Sequence, residues 1–434
     1  MIVAHPASHS PERMYAARVV LGEFLGLRVE TVVEDRTDTE LRLEGCTLRL
    51  GDGFFAVPEC QRLSVHALPP EPVHRQDGLP VLWQTDDDLG VDVLGGSFFL
   101  LTRLEELVRQ ERDEHDRFPA AATVAARAGF LRRPLVNEYV ELLWQALRRT
   151  WPRLERRELR FVLVPSHDVD WPLSSHRGLR EMARGVAADA VRARDPATAL
   201  RRMTGFVLRH AGQPAADVNN RFQWMMDASE RRGLRSSFFF IARRRPAGPY
   251  DTDYSLDDRW TRRLLRRIHA RGHEIGLHPS YTTYLDPAEL RREREALAVA
   301  CRLEGIEQER WGGRQHFLRF RVPVTWRNWA EAGIQYDSTL GFAEDVGFRS
   351  GVCLEYPVYD LVDRRELPLR ELPLVAMEGA VLDRLALDHE RAFDCLADVK
   401  ATCRRFGGTF TLLWHNSRLV HRRDRRLYEA VLDA

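Results

Sequence analysis

A chain of 434 residues is long for one compact domain and comfortable for two. Hydrophobic residues make up 44% and charged residues 30%, and the formal net charge of +1 leaves no global field to favour nucleic acid or an anionic membrane. No stretch approaches the roughly 20 apolar residues of a membrane span, and six scattered cysteines (Cys46, Cys60, Cys301, Cys353, Cys395, Cys403) without a C-x-x-C pair predict buried free thiols in a reducing compartment.

Residues 1–18 lack the basic start and apolar run of a signal peptide, so a cytoplasmic location is expected. Apolar positions at helical spacing follow over 13–25, ending near Gly26. Segments 40–50 and 53–57 alternate like strands, and 98–109 and 135–150 read as helices. Together these predict a small α/β domain over residues 1–158. It holds no cluster of nucleophile, base and orienter, and Asp86, Asp87 and Asp88 read as a solvated charge run.

Residues 161–165 form the apolar run of a buried parallel strand and open a second domain, 159–434. An arginine-rich stretch at about 173–220 reads as a helical insertion, flexible around Gly212 and Pro214. Regular alternation then begins: a helix over 222–232, a strand over 236–242, a helix over 259–270 with Gly272 suited to its cap, and a strand over 274–278. Asp286-Pro287-Ala288-Glu289 has the pattern of a helix start, and 409–414 is a late apolar strand. Strands alternating with helices predict a parallel sheet or barrel, whose reactive groups belong at the C-terminal strand ends.

Three strand ends finish in polar residues. In Ser166-His167-Asp168-Val169-Asp170, strand alternation turns both aspartates to one face. Carboxylates that close repel unless a cation or proton sits between them, so the pair suits a metal ligand beside a general base; a solvated loop is the plain alternative. His278 lies at the exit of the strand in Gly272-His273-Glu274-Ile275-Gly276-Leu277-His278, positioned as a metal ligand, whereas His273 and Glu274 lie at its entrance and are expected to be structural. His415, after Leu412-Leu413-Trp414, is placed to act as a general acid, although a lone histidine is more often structural.

Read together, these stretches resemble the polysaccharide deacetylase (NodB-homology) family. Residues 166–170 are similar to its first motif, 272–278 to its second, Phe320-Arg321-Val322-Pro323 to its arginine–proline motif, and 413–415 to its last. Ala332-Gly333-Ile334-Gln335-Tyr336-Asp337-Ser338 is close to a further stretch of many members. Residues 98–106, with Asp116-Arg117-Phe118-Pro119, resemble an N-terminal domain found in a bacterial subset of these proteins.

The resemblance implies a distorted (β/α) barrel preceded by a smaller α/β domain. It implies hydrolysis of an N-acetyl or related acyl group from a carbohydrate in surface-polysaccharide metabolism, with a divalent metal, zinc in most members. Asp168 would be the base, His415 the acid, Arg321 the residue that orients Asp168, and Asp170 and His278 metal ligands. The family's second histidine ligand falls on Thr282, so the triad is incomplete. His316, just before Phe317-Leu318 and the Arg321 motif, is the candidate substitute; an ordinary loop histidine is the alternative. Two other readings stand beside this one: a metal-independent C–N hydrolase on the same barrel, separable by metal analysis, and a glycan-binding scaffold with a decayed site, which would bind without turnover.

Overall fold

The computed structural model describes residues 1–174, 178–192, 195–211, 213, 216–242, 248–252 and 254–434. Its first sheet joins β1 (Ile2–His5), β2 (Glu30–Val33), β3 (Thr39–Leu43) and β4 (Cys46–Leu50) in the order β2-β1-β3-β4, with β1 and β2 parallel. The alternating stretch 40–50 is two strands, because Glu44 and Gly45 take φ of 51° and 78°, the left-handed pair that closes a tight hairpin. The 53–57 segment is not a strand: Asp92 accepts the N–H groups of Gly53 and Phe54, removing them from any ladder and leaving one helical turn, Phe54–Ala56.

A short hairpin follows, β5 (His74–Gln76) with β6 (Leu79–Val81). Asp87 is not simply solvated, since its carboxylate accepts the N–H groups of Gly51, Leu89 and Gly90 and so ties the loop. The helix expected over 98–109 breaks into Val93–Leu101 and Leu104–Val108 at Arg103, whose φ is 54°. Leu135–Thr150 is one amphipathic helix.

The second sheet has nine strands: β7 (Val162–Val169), β8 (Ser237–Phe240), β9 (Glu274–Leu277), β10 (Gly312–Gly313), β11 (Tyr336–Asp337), β12 (Tyr356–Asp360), β13 (Arg365–Glu371), β14 (Ala376–Met377) and β15 (Thr409–Leu413). Their order is β12-β13-β11-β10-β9-β8-β7-β15-β14. Only the edge pair β12–β13 is antiparallel; the other neighbours are parallel, with helices such as Arg259–Ala270, Pro287–Leu303 and His389–Arg405 between them. Asp286 caps Pro287–Leu303 by accepting the Glu289 N–H at 2.9 Å.

The sheet is strongly curled. The ends of β7 and β10 would stand ~14 Å apart if it were flat, three spacings of ~4.8 Å, yet Asp168 on β7 and Arg314 after β10 are hydrogen-bonded at 2.9 Å across the interior. Close approach of the middle strands requires Gly276, where a Cβ would lie 2.3 Å from the Phe239 ring and 2.7 Å from the Gly312 carbonyl oxygen. This curled, mostly parallel sheet is the parallel sheet or barrel that the alternation predicts, and with the smaller α/β sheet before it matches the distorted (β/α) barrel that the resemblance implies.

The insertion contains helices Gly178–Ala187 and Pro196–His210; Gly212 and Pro214 lie outside the described residues. All six cysteines are free, but Cys46 and Cys60 are exposed rather than buried, one beside the Glu44-Gly45 turn and the other in a surface turn. Among the described residues no helix is long and apolar enough to cross a membrane. One large apolar core runs through both sheets, a smaller cluster joins Leu318, Ala343, Leu374 and Leu413, and Tyr15 donates to the Pro357 carbonyl across the sheets at 2.7 Å.

A buried ion cluster also links the two. Arg349 donates to Glu106 at 2.8 and 2.7 Å and Arg103 donates at 2.9 Å, all three side chains being at most 2% exposed. Burial would raise the Glu106 pKa, but the two guanidiniums reverse this and hold it at about 2. The cluster's contribution is therefore present above the ordinary glutamate range and fades as pH falls from about 4.5 through about 2. Glu106→Gln, which strands two buried cations, is expected to cost ~3–5 kcal/mol near neutral pH. Denaturant unfolding across pH should find the gap between wild type and variant shrinking under acid; a constant gap would contradict the ion-pair account.

Candidate active site

The parallel strands deliver polar side chains to one mouth. β7 alternates as expected: Ser166 and Asp168 face the interior, while His167 points away, fully buried, with Nδ1 on the Trp414 carbonyl at 2.7 Å and its ring against Phe238. Asp170 follows at the strand's exit. β9 ends on His278, β10 leads through Arg314 to His316, β14 leads to Glu378, and β15 leads through Trp414 to His415.

Three imidazoles converge on Asp170. Nε2 of His278 and of His316 lie 3.2 and 3.6 Å from its Oδ1, and Nε2 of His415 lies 3.6 Å from its Oδ2. Each Nδ1 faces an oxygen: the Arg314 carbonyl at 2.6 Å for His278, Asp251 at 3.3 Å for His316, and Glu378 at 2.5 Å for His415. A ring whose Nδ1–H donates outward keeps its Nε2 lone pair for the centre, the tautomer a metal ligand needs.

Charge follows this geometry. Burial alone would raise the Asp170 pKa, but the three imidazoles hold it well below the usual carboxylate range. Burial lowers His278, and the facing Asp168 and Asp170 carboxylates more than offset it. His415 is depressed by burial but carried up to about 10 by Glu378, with smaller help from Asp170 and Asp168.

Asp168 is held by Arg314, not by Arg321. Arg314 is wholly buried; Nη1 donates to Asp168 at 2.9 Å, Nη2 to the hydroxyls of Ser166 and Ser338 at 3.0 Å each, and Nε to the Ser338 carbonyl at 2.8 Å. Arg321 instead donates to Asp116 at 2.5 and 2.7 Å, because the turn over 316–318 carries the chain away from the mouth before Arg321 is reached. The expectation that Arg321 orients Asp168 is corrected accordingly. His273 and Glu274 are structural: His273 accepts the Ser236 N–H at 3.1 Å, and Glu274 accepts from Tyr336 at 2.5 Å.

Arg314 and Glu378 escape the sequence reading for different reasons. Arg314 follows Gly312-Gly313, a two-residue strand without periodicity. Glu378 ends the apolar run Leu374-Val375-Ala376-Met377, the same signature that marks the other strand ends, so a signal was available.

Asp170, His278 and His316 suit a divalent metal. Their donor atoms all lie within 4.8 Å of one another, and Oδ1 of Asp170 is buried with no hydrogen-bond partner despite its closeness to His278. Donors ~2.1 Å from a tetrahedral metal would be ~3.4 Å apart, close to the 3.2 and 3.6 Å observed. Thr282 is exposed and is not part of this set. A second acidic cluster, His9, Glu12 and Glu59, already has its cation, since Arg364 donates to both glutamates at 2.8 Å. The mouth opens into a cavity of about 470 Å³ whose wall includes Trp171, Tyr250, Phe317, Met377 and Leu413.

A family of unknown function, DUF7033, matches residues 1–152. No curated protein matches the chain. Among solved structures the chain is similar to a putative polysaccharide deacetylase from Mycobacterium smegmatis, at 17% identity over 64% of this chain and 84% of that one, with a TM-score of 0.40. It is similar to a probable polysaccharide deacetylase from Pseudomonas aeruginosa PAO1 at 15% identity over 63% and 83%, with a TM-score of 0.39. An allantoinase is similar at 14% identity over 63% and 83%, with a TM-score of 0.35.

Proposed function

We propose that this chain is a metal-assisted hydrolase of carbon–nitrogen bonds that removes an N-acyl group from a carbohydrate, in the manner of a polysaccharide deacetylase. The observation that carries the reading is the set of three imidazoles, each with Nδ1 facing an oxygen and Nε2 turned to Asp170, beside a second carboxylate clamped by a buried arginine. Asp170, His278 and His316 would hold the metal, three protein donors with a side open to the cavity, as hydrolytic sites require. When bound, such an ion supplies Lewis acidity toward an amide carbonyl and toward water.

The chain's own groups account for the proton movements. Asp168 gives one oxygen to Arg314 and keeps the other, Oδ2, 3.7 Å from His278 Nε2 and free to accept a proton from the attacking water. The guanidinium fixes the direction of that oxygen, which is what a general base needs. His415 points Nε2 at the same space while Glu378 holds Nδ1, so the imidazolium can release a proton to the departing amine as the C–N bond breaks. Glu378 to His415 is thus the orienting contact on the acid side, as Arg314 to Asp168 is on the base side. In this reading residues 159–434 carry the chemistry and 1–158 accompany it.

Asp168→Asn is expected to lower the rate on N-acetylated sugars by about 10²–10⁴ while metal content, measured by elemental analysis, stays at the wild-type level; undiminished turnover would remove Asp168 from the mechanism. The full chain should bind about one equivalent of zinc, lost in both His278→Ala and His316→Ala. A wild type that turns over substrate without metal would establish the metal-independent hydrolase instead, and one that binds glycans without turnover the decayed scaffold. His415→Ala should lower kcat with KM little changed, and Glu378→Gln should act in the same direction but less, because their contacts matter as the amine leaves. A rise in KM alone would make the pair a binding element.

A further inference from the structure

The turn that carries His316 is held from outside the barrel. Phe317 takes φ 62° and ψ 13°, and Leu318 takes φ 56°, a left-handed conformation that bulky residues rarely adopt even singly. Such backbone persists only where surrounding contacts over-determine it. Much of that surrounding comes from residues 113–117 of the N-terminal part.

The 113–117 segment is a self-contained turn: the Asp113 carboxylate accepts the N–H groups of His115 and Arg117 at 2.9 Å each and the Arg117 Nε at 2.7 Å. From it Arg117 Nη1 donates to the Phe317 carbonyl at 3.1 Å. The His115 ring lies 4.7 Å from the Phe317 ring, which Tyr250 and Tyr281 also flank at 5.5 and 5.4 Å. The next two alternate residues are tied as well: Arg319 Nε donates to the His115 carbonyl at 2.7 Å, and Arg321 is paired with Asp116. Positions 317, 319 and 321 are thus each fastened to residues 115–117, and Arg117 also lines the cavity.

We propose that the 113–117 turn is a working part of the active site, with Arg117 and His115 as positioning residues that hold the left-handed Phe317–Leu318 backbone and so keep the His316 imidazole on Asp170. The inference rests on the metal centre proposed above. It gives the N-terminal part a role in the chemistry although it contributes no metal ligand, and it gives Arg321 a role as anchor of that turn.

The test uses the full chain, with zinc affinity from competition titration and the visible spectrum of the cobalt(II)-loaded protein. Arg117→Ala is expected to weaken zinc by about 10- to 100-fold, the range for losing a group that orients a ligand, and to move the cobalt spectrum toward that of His316→Ala. His115→Ala, which removes the ring from Phe317, should weaken zinc in the same direction, and His115→Phe, which restores a ring there, should recover part of that loss; wild-type affinity in His115→Ala would remove His115 from the proposal. Arg117→Lys keeps a charge for Asp113 but cannot serve both contacts; it should give an intermediate loss, and it covers the case in which the alanine variant does not fold. Wild-type affinity and spectrum in the Arg117 variants, while His278→Ala and His316→Ala lose metal, would overturn this inference alone. Undiminished affinity in either histidine variant would overturn the metal centre and this inference with it.

Discussion

A guanidinium with no exposed surface lies at the centre of this structure. A guanidinium carries a fixed charge and five donors, so the burial of Arg314 demands an anion and a full set of acceptors. Asp168 supplies the charge from β7, and Ser166 and Ser338 supply oxygens from β7 and from the end of β11. The backbone of the same residue receives the Nδ1–H of His278 after β9. One side chain and its carbonyl therefore register four strand ends, and the curl of the sheet is what lets β7 and β10 satisfy each other across the interior. Without that anion the cation would be stranded; without the cation, Asp168 would be a buried carboxylate without its hydrogen-bonded counter-charge.

The neutralisation has a consequence for the second aspartate. With Asp168 matched to Arg314, Asp170 is left to three imidazoles, none of which forms a well-shaped hydrogen bond to its buried Oδ1. A buried carboxylate oxygen close to two ring nitrogens but bonded to neither is costly as it stands, and a cation between them would remove that cost. The orienting oxygens on the far side of each ring show that the rings are aimed rather than merely packed. The two groups proposed as base and acid are then separated by environment: Asp168 is held by the Arg314 guanidinium, and His415 is held by a buried carboxylate that drives its affinity for protons upward.

Much of this was legible wherever a strand was long enough to have a pattern. β7, β9 and β15 run four to eight residues, and their apolar stretches end on Asp168, His278 and His415. β10, β11 and β14 have two residues each, too few for alternation to register. Arg314 and Ser338 therefore come from parts of the barrel that periodicity cannot reveal, whereas Glu378 closes the apolar run Leu374-Val375-Ala376-Met377, which does carry a signal. Arg321 was misread for a related reason. It stands two residues before a proline in a recognisable motif, but the residues between it and β10 include a left-handed turn that no propensity of Phe317 or Leu318 announces. The hairpin at Glu44-Gly45 was equally hidden within an alternating stretch, because alternation continues on both sides of the turn.

That left-handed turn also changes how the first part of the chain is to be understood. A helper domain joined only by a linker would bury its own core and leave the barrel complete. Here apolar packing is continuous across the two sheets, Glu106 of the first part neutralises Arg349 of the second in a buried cluster, and Asp116 takes up Arg321. The two ion pairs would each leave an arginine of the second part without this carboxylate if the first part were absent, which is costliest for the buried Arg349. The two parts therefore stabilise one another, and the segment they hold between them is the one that bears His316. The geometry of the mouth and the cohesion of the two sheets thus draw on overlapping residues: the 317–321 segment that follows His316 is bonded to residues 115–117 of the first part.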